Sequence, residues 1–187
     1  MKKPTIKNIK SNLVGTEVSK NHAIRGSQIH DSIYKTNPSM NDGKGADFRQ
    51  FDAEVKSKDV NSRSAYGIAS MTIDDIQNTP YNSSVVKEKL QQQIQILVDN
   101  GKVIDEDIFD FRPQWIQDKF EEAYEIGRDK IIRGDRSGYI HGSKYGYFEK
   151  RTNSDNSYQF RIAVGAMKEL RTMAKNQINN PNLFEYL

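Results

Sequence analysis

The residues best suited to chemistry in this chain lie between positions 45 and 58, in the stretch GADFRQFDAEVKSK. Asp47 is followed seven residues later by Glu54, and Val55 alone separates Glu54 from Lys56. A two-residue step on a strand returns a side chain to the same sheet face. Glu54 and Lys56 therefore share a face if the stretch is a strand, and a hairpin would bring Asp47 to the same end of it. Paired carboxylates hold Mg²⁺ while leaving waters on the ion. Such an ion acidifies a bound water and stabilises charge on a phosphate under attack. A lysine beside it can orient or deprotonate the water, or neutralise the phosphate. The same spacing fits an exposed strand face with Glu and Lys in water, because 28 Lys and Arg against 25 Asp and Glu make E-x-K common by chance. Asp52 is a decoy, a second acid two residues before Glu54.

The elements that must position these residues can be read from periodicity. His22 to Lys35 reads as a helix, with Ala23, Ile29, Ile33 and Tyr34 roughly on one face. TNPSMNDGKG, 36 to 45, is rich in turn formers. Asp47 to Lys56 is expected as strand or hairpin, Lys58 to Arg63 as loop, Tyr66 to Ile73 as strand and Asp74 to Asn82 as loop. Ser84 to Leu90 reads as a short helical turn and Gln91 to Val98 as a strand ending at the turn Asn100-Gly101. The most regular helix begins near Pro113 and runs to about Ile132, with Trp115, Phe120, Ala123, Tyr124, Gly127 and Ile131 on its apolar face. Proline suits a first helical turn, where its missing N–H had no partner, and Gly134 is a stop signal. Strands are expected at Tyr145 to Lys150 and Tyr158 to Ile162, then a helix from Val164 to Ile178 whose stripe Val164, Met167, Leu170 and Ala174 is core. Residues 1 to 21 read as a polar, lysine-rich arm or a short first helix.

Composition bounds what such a scaffold can be. At 187 residues the chain fits one domain. Hydrophobic residues make up only 35% of it, so a large wet surface or a groove is expected. The net charge of +3 excludes a polycation, yet the charge is uneven. Arg128, Lys130, Arg133, Arg136, Lys144, Lys150 and Arg151 stand against Asp129, Asp135 and Glu149, while acids dominate from Asp99 to Glu125. A basic stretch beside an acidic one fits an enzyme acting on a polyanion, and it also fits ordinary solvated charge. With no cysteine, disulfides and thiolate metal sites are excluded. The N-terminus lacks an apolar signal core and no run approaches a membrane span, so a soluble cytoplasmic protein is the expectation. There is no P-loop or Rossmann fingerprint, hence no nucleotide cofactor is expected. His22, His30 and His141 are not spaced as metal ligands.

Taken in order, several segments resemble the PD-(D/E)XK nucleases, and among them the MutH-like mismatch-repair nicking endonucleases and their related type II restriction enzymes. GADFRQFDAEVKS resembles that family's ADF…E-[LVI]-K-[ST] segment, and RGSQIHDSIYK resembles its Gly-containing helix, which carries an extra acid. SSVVKEKLQQQIQILV, DFRPQWIQDKFEEAYEIGRDKIIRGD, HGSKYGYFEKR and YQFRIAVGAMKEL resemble later family segments, so the likeness covers about Ile24 to Leu170.

The resemblance implies an α/β (α+β) restriction-endonuclease-like fold, a central mixed β-sheet flanked by helices in a single domain over residues 1–187. It implies catalytic roles for Asp47, Glu54, Lys56 and Lys89, and an accessory one for Asp31, where the family usually has Glu. Mg²⁺ would be held by Asp47, Glu54 and the carbonyl of Val55. Double-stranded DNA would be met by residues 135–162, through Arg136, His141, Lys144, Lys150 and Arg151. The implied activity is that of a sequence-specific type II restriction enzyme, with a GATC-like site by analogy and a homodimer at least on DNA. A mismatch-repair nickase, a structure-specific nuclease such as a junction resolvase and a non-catalytic DNA-binding module are the competing readings.

Overall fold

The computed structural model describes residues 13–36, 46–48 and 51–179. The expected turn region from 37 to 45 and the first twelve residues of the expected arm lie outside them. Element order is α1 (His22–Thr36), β1 (Ala53–Asp59), β2 (Tyr66–Thr72), α2 (Ile73–Asn78), a 3₁₀ turn at Tyr81–Ser83, and α3 (Val85–Lys89). There follow β3 (Gln92–Asp99), β4 (Lys102–Asp110), α4 (Gln114–Ile132), β5 (Tyr139–Ser143), β6 (Gly146–Lys150), β7 (Ser157–Ile162) and α5 (Val164–Asn179). The class is mixed α and β. Among the described residues the strands form two sheets, of order β1-β3-β4 and β2-β7-β6-β5, where one central sheet was expected. The chain divides into two compact units, residues 1–63 with 88–110, and residues 64–87 with 111–187.

In the first unit β1 runs parallel to β3, and β4 returns antiparallel to β3. Asn100-Gly101 makes the tight connection with φ of 48° and 84°, the positive pair that a two-residue hairpin turn needs and that Asn and Gly supply most readily. Register sets the faces. Glu54 lies opposite Gln93 and Lys56 opposite Gln95, and Gln95 in turn opposes Asp107. The alternate residues turn the other way. Ala53, Ile94, Ile96 and Val98 form one apolar cluster with Ile29 and Ile33 of α1, Leu13, Phe48 and Val103. The sheet thus has an apolar face closed by α1 and a polar face that carries the Glu and Lys of interest.

Three expectations change here. Leu13 to Lys20 is neither a free polar arm nor a helix. Leu13 is buried, and backbone bonds join Gly15 N to Val103 O, Val103 N to Thr16 O and Val18 N to Gly101 O. β1 continues through Lys58 to Asp59, because β3 offers it partners that far. Lys102 to Asp110, unassigned from sequence, is a strand whose acids lie on exposed or half-buried positions while Val103 and Phe109 are buried.

In the second unit, the inner face of the antiparallel sheet is aromatic. Phe148 and Phe160 have ring centroids 5.2 Å apart, and Tyr124 of α4 lies 5.4 Å from Phe148 and 5.9 Å from Phe160, tilted and edge-on geometries that add to their burial. Burial drives the Tyr81 and Tyr124 phenols far above their usual range, so both stay neutral. α4 approaches β5 so closely that a Cβ on Gly142 would fall 1.8 Å from the Ala123 carbonyl oxygen. The expected loop from Asp74 begins instead with α2. The Thr72 hydroxyl accepts from Asp75 N, and Asp75 accepts from Thr72 N, a reciprocal cap that satisfies two helix-end donors. No helix of the described residues is long and apolar enough to cross a membrane.

Candidate active site

A short antiparallel bridge builds the site. Phe48 N donates to Ala53 O at 2.8 Å and Ala53 N to Phe48 O at 3.2 Å. One step outward on each side stand Asp47 and Glu54, so their seven-residue spacing makes them neighbours across the hairpin. The turn is closed by Asp52, at φ 50°, whose carbonyl accepts Gln92 N from β3. Asp52 is thus a turn residue.

Each carboxylate is held from several directions. Asp47 Oδ2 accepts Val55 N at 2.7 Å, and Asp47 N reaches Glu54 Oε2 at 3.3 Å. Glu54 Oε1 receives two ammonium groups, Lys56 Nζ at 2.8 Å from its own strand and Lys89 Nζ at 2.7 Å from the end of α3. The preceding backbone is pinned as well, Ala46 N donating to Glu88 Oε1 at 2.9 Å. Asp47 and Glu54 are buried, and Lys56 and Lys89 are about one-fifth exposed. Burial pushes the Asp47 carboxyl above its usual range, and the charge of Glu54 adds to this. The Val55 N–H and the His30 imidazole pull the other way.

The structure therefore brings Asp47, Glu54, Lys56 and Lys89 together and gives each a partner in the group. Val55 lies between the second acid and the lysine, its N–H spent on Asp47 and its side chain packed on the core. Asp31 is not part of the cluster as drawn from its contacts. It is exposed, and the residue before it, His30, meets Asp47 instead, with Nε2 3.0 Å from Oδ1. His30 has no His–His spacing to mark it in the sequence. The available signal was helical phase. His30 follows Ile29, whose side chain with that of Ile33 faces the sheet, so His30 sits at the edge of the packed face.

The donor set suits a hard divalent cation. Two buried carboxylates, Asp47 raised first by burial and then by the charge of Glu54, offer oxygen ligands of the kind Mg²⁺ takes. Among the described residues no group of three or more His, Asp and Glu side chains is placed to hold an ion. The balance of its shell would come from backbone, water or substrate, as is usual for Mg²⁺.

The proposed recognition residues belong to the second unit and are spread along it. Arg136, in the α4–β5 loop, is held to Ile131 O at 2.7 Å and Asp135 O at 2.8 Å. His141 is exposed on β5, its ring 5.8 Å from that of Tyr147. Lys144, in the β5–β6 turn, pairs with Glu169 of α5. Lys150 lies 3.5 Å from Asp155, and Arg151 donates to Ser70 Oγ at 3.1 Å. Of these, Lys144 and Lys150 each face a carboxylate, whereas Arg136 and Arg151 meet neutral oxygens. Compared with known proteins, the chain matches no family model and no curated protein.

Proposed function

We propose that the protein is a Mg²⁺-dependent endonuclease of double-stranded DNA, on a restriction-endonuclease-like fold, acting as a type II restriction enzyme. The observation that carries this reading is the convergence of Asp47, Glu54, Lys56 and Lys89 at one end of β1. Asp47 and Glu54, with the Val55 carbonyl, would hold the ion. When bound, the ion supplies a more acidic water and charge neutralisation at the phosphate. Lys56, whose ammonium lies on Glu54, would orient the attacking water or meet the scissile phosphate. Lys89 supplies a second positive charge for the phosphate, and both ammonium groups keep Glu54 in place. No side chain in the group is required as a nucleophile. Arg136, His141, Lys144, Lys150 and Arg151 are assigned to DNA contact, and cutting both strands of a palindrome calls for a homodimer on DNA.

The test is incubation of supercoiled plasmid with the protein in Mg²⁺. Wild type is expected to give discrete fragments, whose sequenced ends yield the site and show whether it is GATC-like. Asp47→Ala, Glu54→Ala and Lys56→Ala should lose cleavage by several orders of magnitude, on the order of 10³-fold or more given how much a group acting on transition-state charge is worth, while still shifting DNA in a gel. Asp52→Gly, which suits the positive φ, should cut normally. Nicks without linear product would point to the mismatch-repair variant of the reading. Plasmid left intact by wild type in both Mg²⁺ and Mn²⁺ would leave only a DNA-binding module and sink the enzymatic proposal.

A further inference from the structure

We infer that His30 is a positioning residue for the Asp47 carboxylate, and so sets how tightly this site takes a divalent cation. The inference rests on the metal-site reading above. Asp47 has two oxygens and two fixed donors. Oδ2 takes the Val55 N–H from β1 at 2.7 Å, and Oδ1 lies 3.0 Å from His30 Nε2 on α1. The ionised carboxylate that would take a metal only accepts, so in that state Nε2 carries the proton and donates it. One donor from a strand and one from a helix fix both the torsion and the tilt of the carboxylate, leaving a lone pair on each oxygen for an ion. With its Nε2 committed in this way, the imidazole acts through Asp47.

Both anchors are themselves rigid. Val55 is inside a paired strand, and His30 follows Ile29, which is buried with Ile33 in the core cluster of the unit. The imidazole is about one-third exposed, so it makes little core of its own. A residue placed only for packing would be buried; this one is half-buried, and its imidazole bonds the carboxylate. Partners that orient a metal-binding side chain change metal affinity by about 10- to 100-fold when removed.

The experiment titrates Mn²⁺ into wild type, His30→Ala, His30→Gln and Asp47→Ala, following free Mn²⁺ by electron paramagnetic resonance, with the Mg²⁺ dependence of plasmid cleavage measured alongside. His30→Ala should weaken Mn²⁺ binding by about 10- to 100-fold and shift the Mg²⁺ midpoint of cleavage upward by a similar factor, with the rate recovering at saturating Mg²⁺. His30→Gln, which keeps an N–H donor of similar reach, should fall close to wild type. A His30→Ala chain that melts like wild type and binds Mn²⁺ equally well overturns the inference. Should the Ala variant not fold, His30→Gln decides, and a folded Gln variant as weak as Asp47→Ala overturns it too. If Asp47→Ala loses binding and cleavage while His30→Ala loses neither, the positioning role alone falls. If wild type neither binds Mn²⁺ nor cuts DNA, the metal-site reading falls with it.

Discussion

Asp47 carries a cost that its neighbours only partly offset. Its carboxyl is buried beside Glu54, and both circumstances raise its proton affinity in the folded chain. A raised carboxylate holds its proton to a higher pH folded than unfolded. Folding therefore loses stability as pH rises from the ordinary carboxylate range through the raised value. Above the raised value that loss is complete; well below the ordinary range it is absent. Asp47→Asn removes the charge and keeps an oxygen for the Val55 N–H. It is expected to melt higher than wild type at pH 7, by about 2–4 °C for each kcal/mol recovered in a chain of this size, with the gain shrinking as pH falls. Thermal melts at pH 7 and pH 4 check this, and an Asn variant that melts lower at pH 7 would contradict it. At this scale the sequence was informative where spacing encoded geometry. The seven-residue interval and the E-x-K step imply that Asp47, Glu54 and Lys56 lie close together, as they do, because a hairpin and a strand have fixed repeats. His30 was legible only in part: helical phase puts it at the edge of the packed face, but its contact with Asp47 depends on how α1 lies on β1.

The elements show a similar division. α1, α4 and α5 follow from 3.6-residue periodicity and need little else. α2 has six residues and exists through its cap, so Thr72 and Asp75 were the signal, obscured by the polar residues around them. β4 was hidden because its core residues are separated by the run Asp105, Glu106, Asp107, which reads as solvated charge until β3 supplies a partner strand. β5 was hidden in a stretch rich in Gly, and there the glycine has a packing reason. Gly142 lets the strand meet the backbone of α4 at Ala123. Gly142→Ala must push β5 and α4 apart, and it should destabilise the chain by about 1–3 kcal/mol or more, the range for overpacking. A urea melt reads the change, and an unchanged midpoint would mean that the two elements separate freely.

For the whole molecule, the question is how a chain with a net charge of only +3 would hold a polyanion. Lys144 illustrates the balance. Its bond to Glu169 raises the ammonium, and the same bond, with that of Tyr145, lowers the Glu169 carboxyl, so both stay charged and paired at neutral pH. Glu169→Gln releases that lysine without touching the candidate active site. On the proposed reading it should strengthen binding to all duplexes alike and steepen the salt dependence, while Lys144→Ala should lower the salt slope by about one unit. Fluorescence anisotropy over a salt series measures both, and a Glu169→Gln chain with unaltered affinity would remove Lys144 from the DNA contact.

The parallel pairing of β1 with β3 has a consequence for the order of events as the chain is made. Ala53 meets Gln92 only after the chain has run out through residues 64–87 and come back. The β3–β4 hairpin closes through two residues, so it can form as soon as it is synthesised, whereas β1 must wait for a long loop to close. Lys89 arrives on that same returning segment. Until β3 is in place Glu54 has neither its neighbouring strand nor its second ammonium, so the hairpin can bring the two acids together on the emerging chain but the full cluster is not yet assembled. A chain built this way completes this cluster at a late step of folding, after the strand that frames it has been delivered.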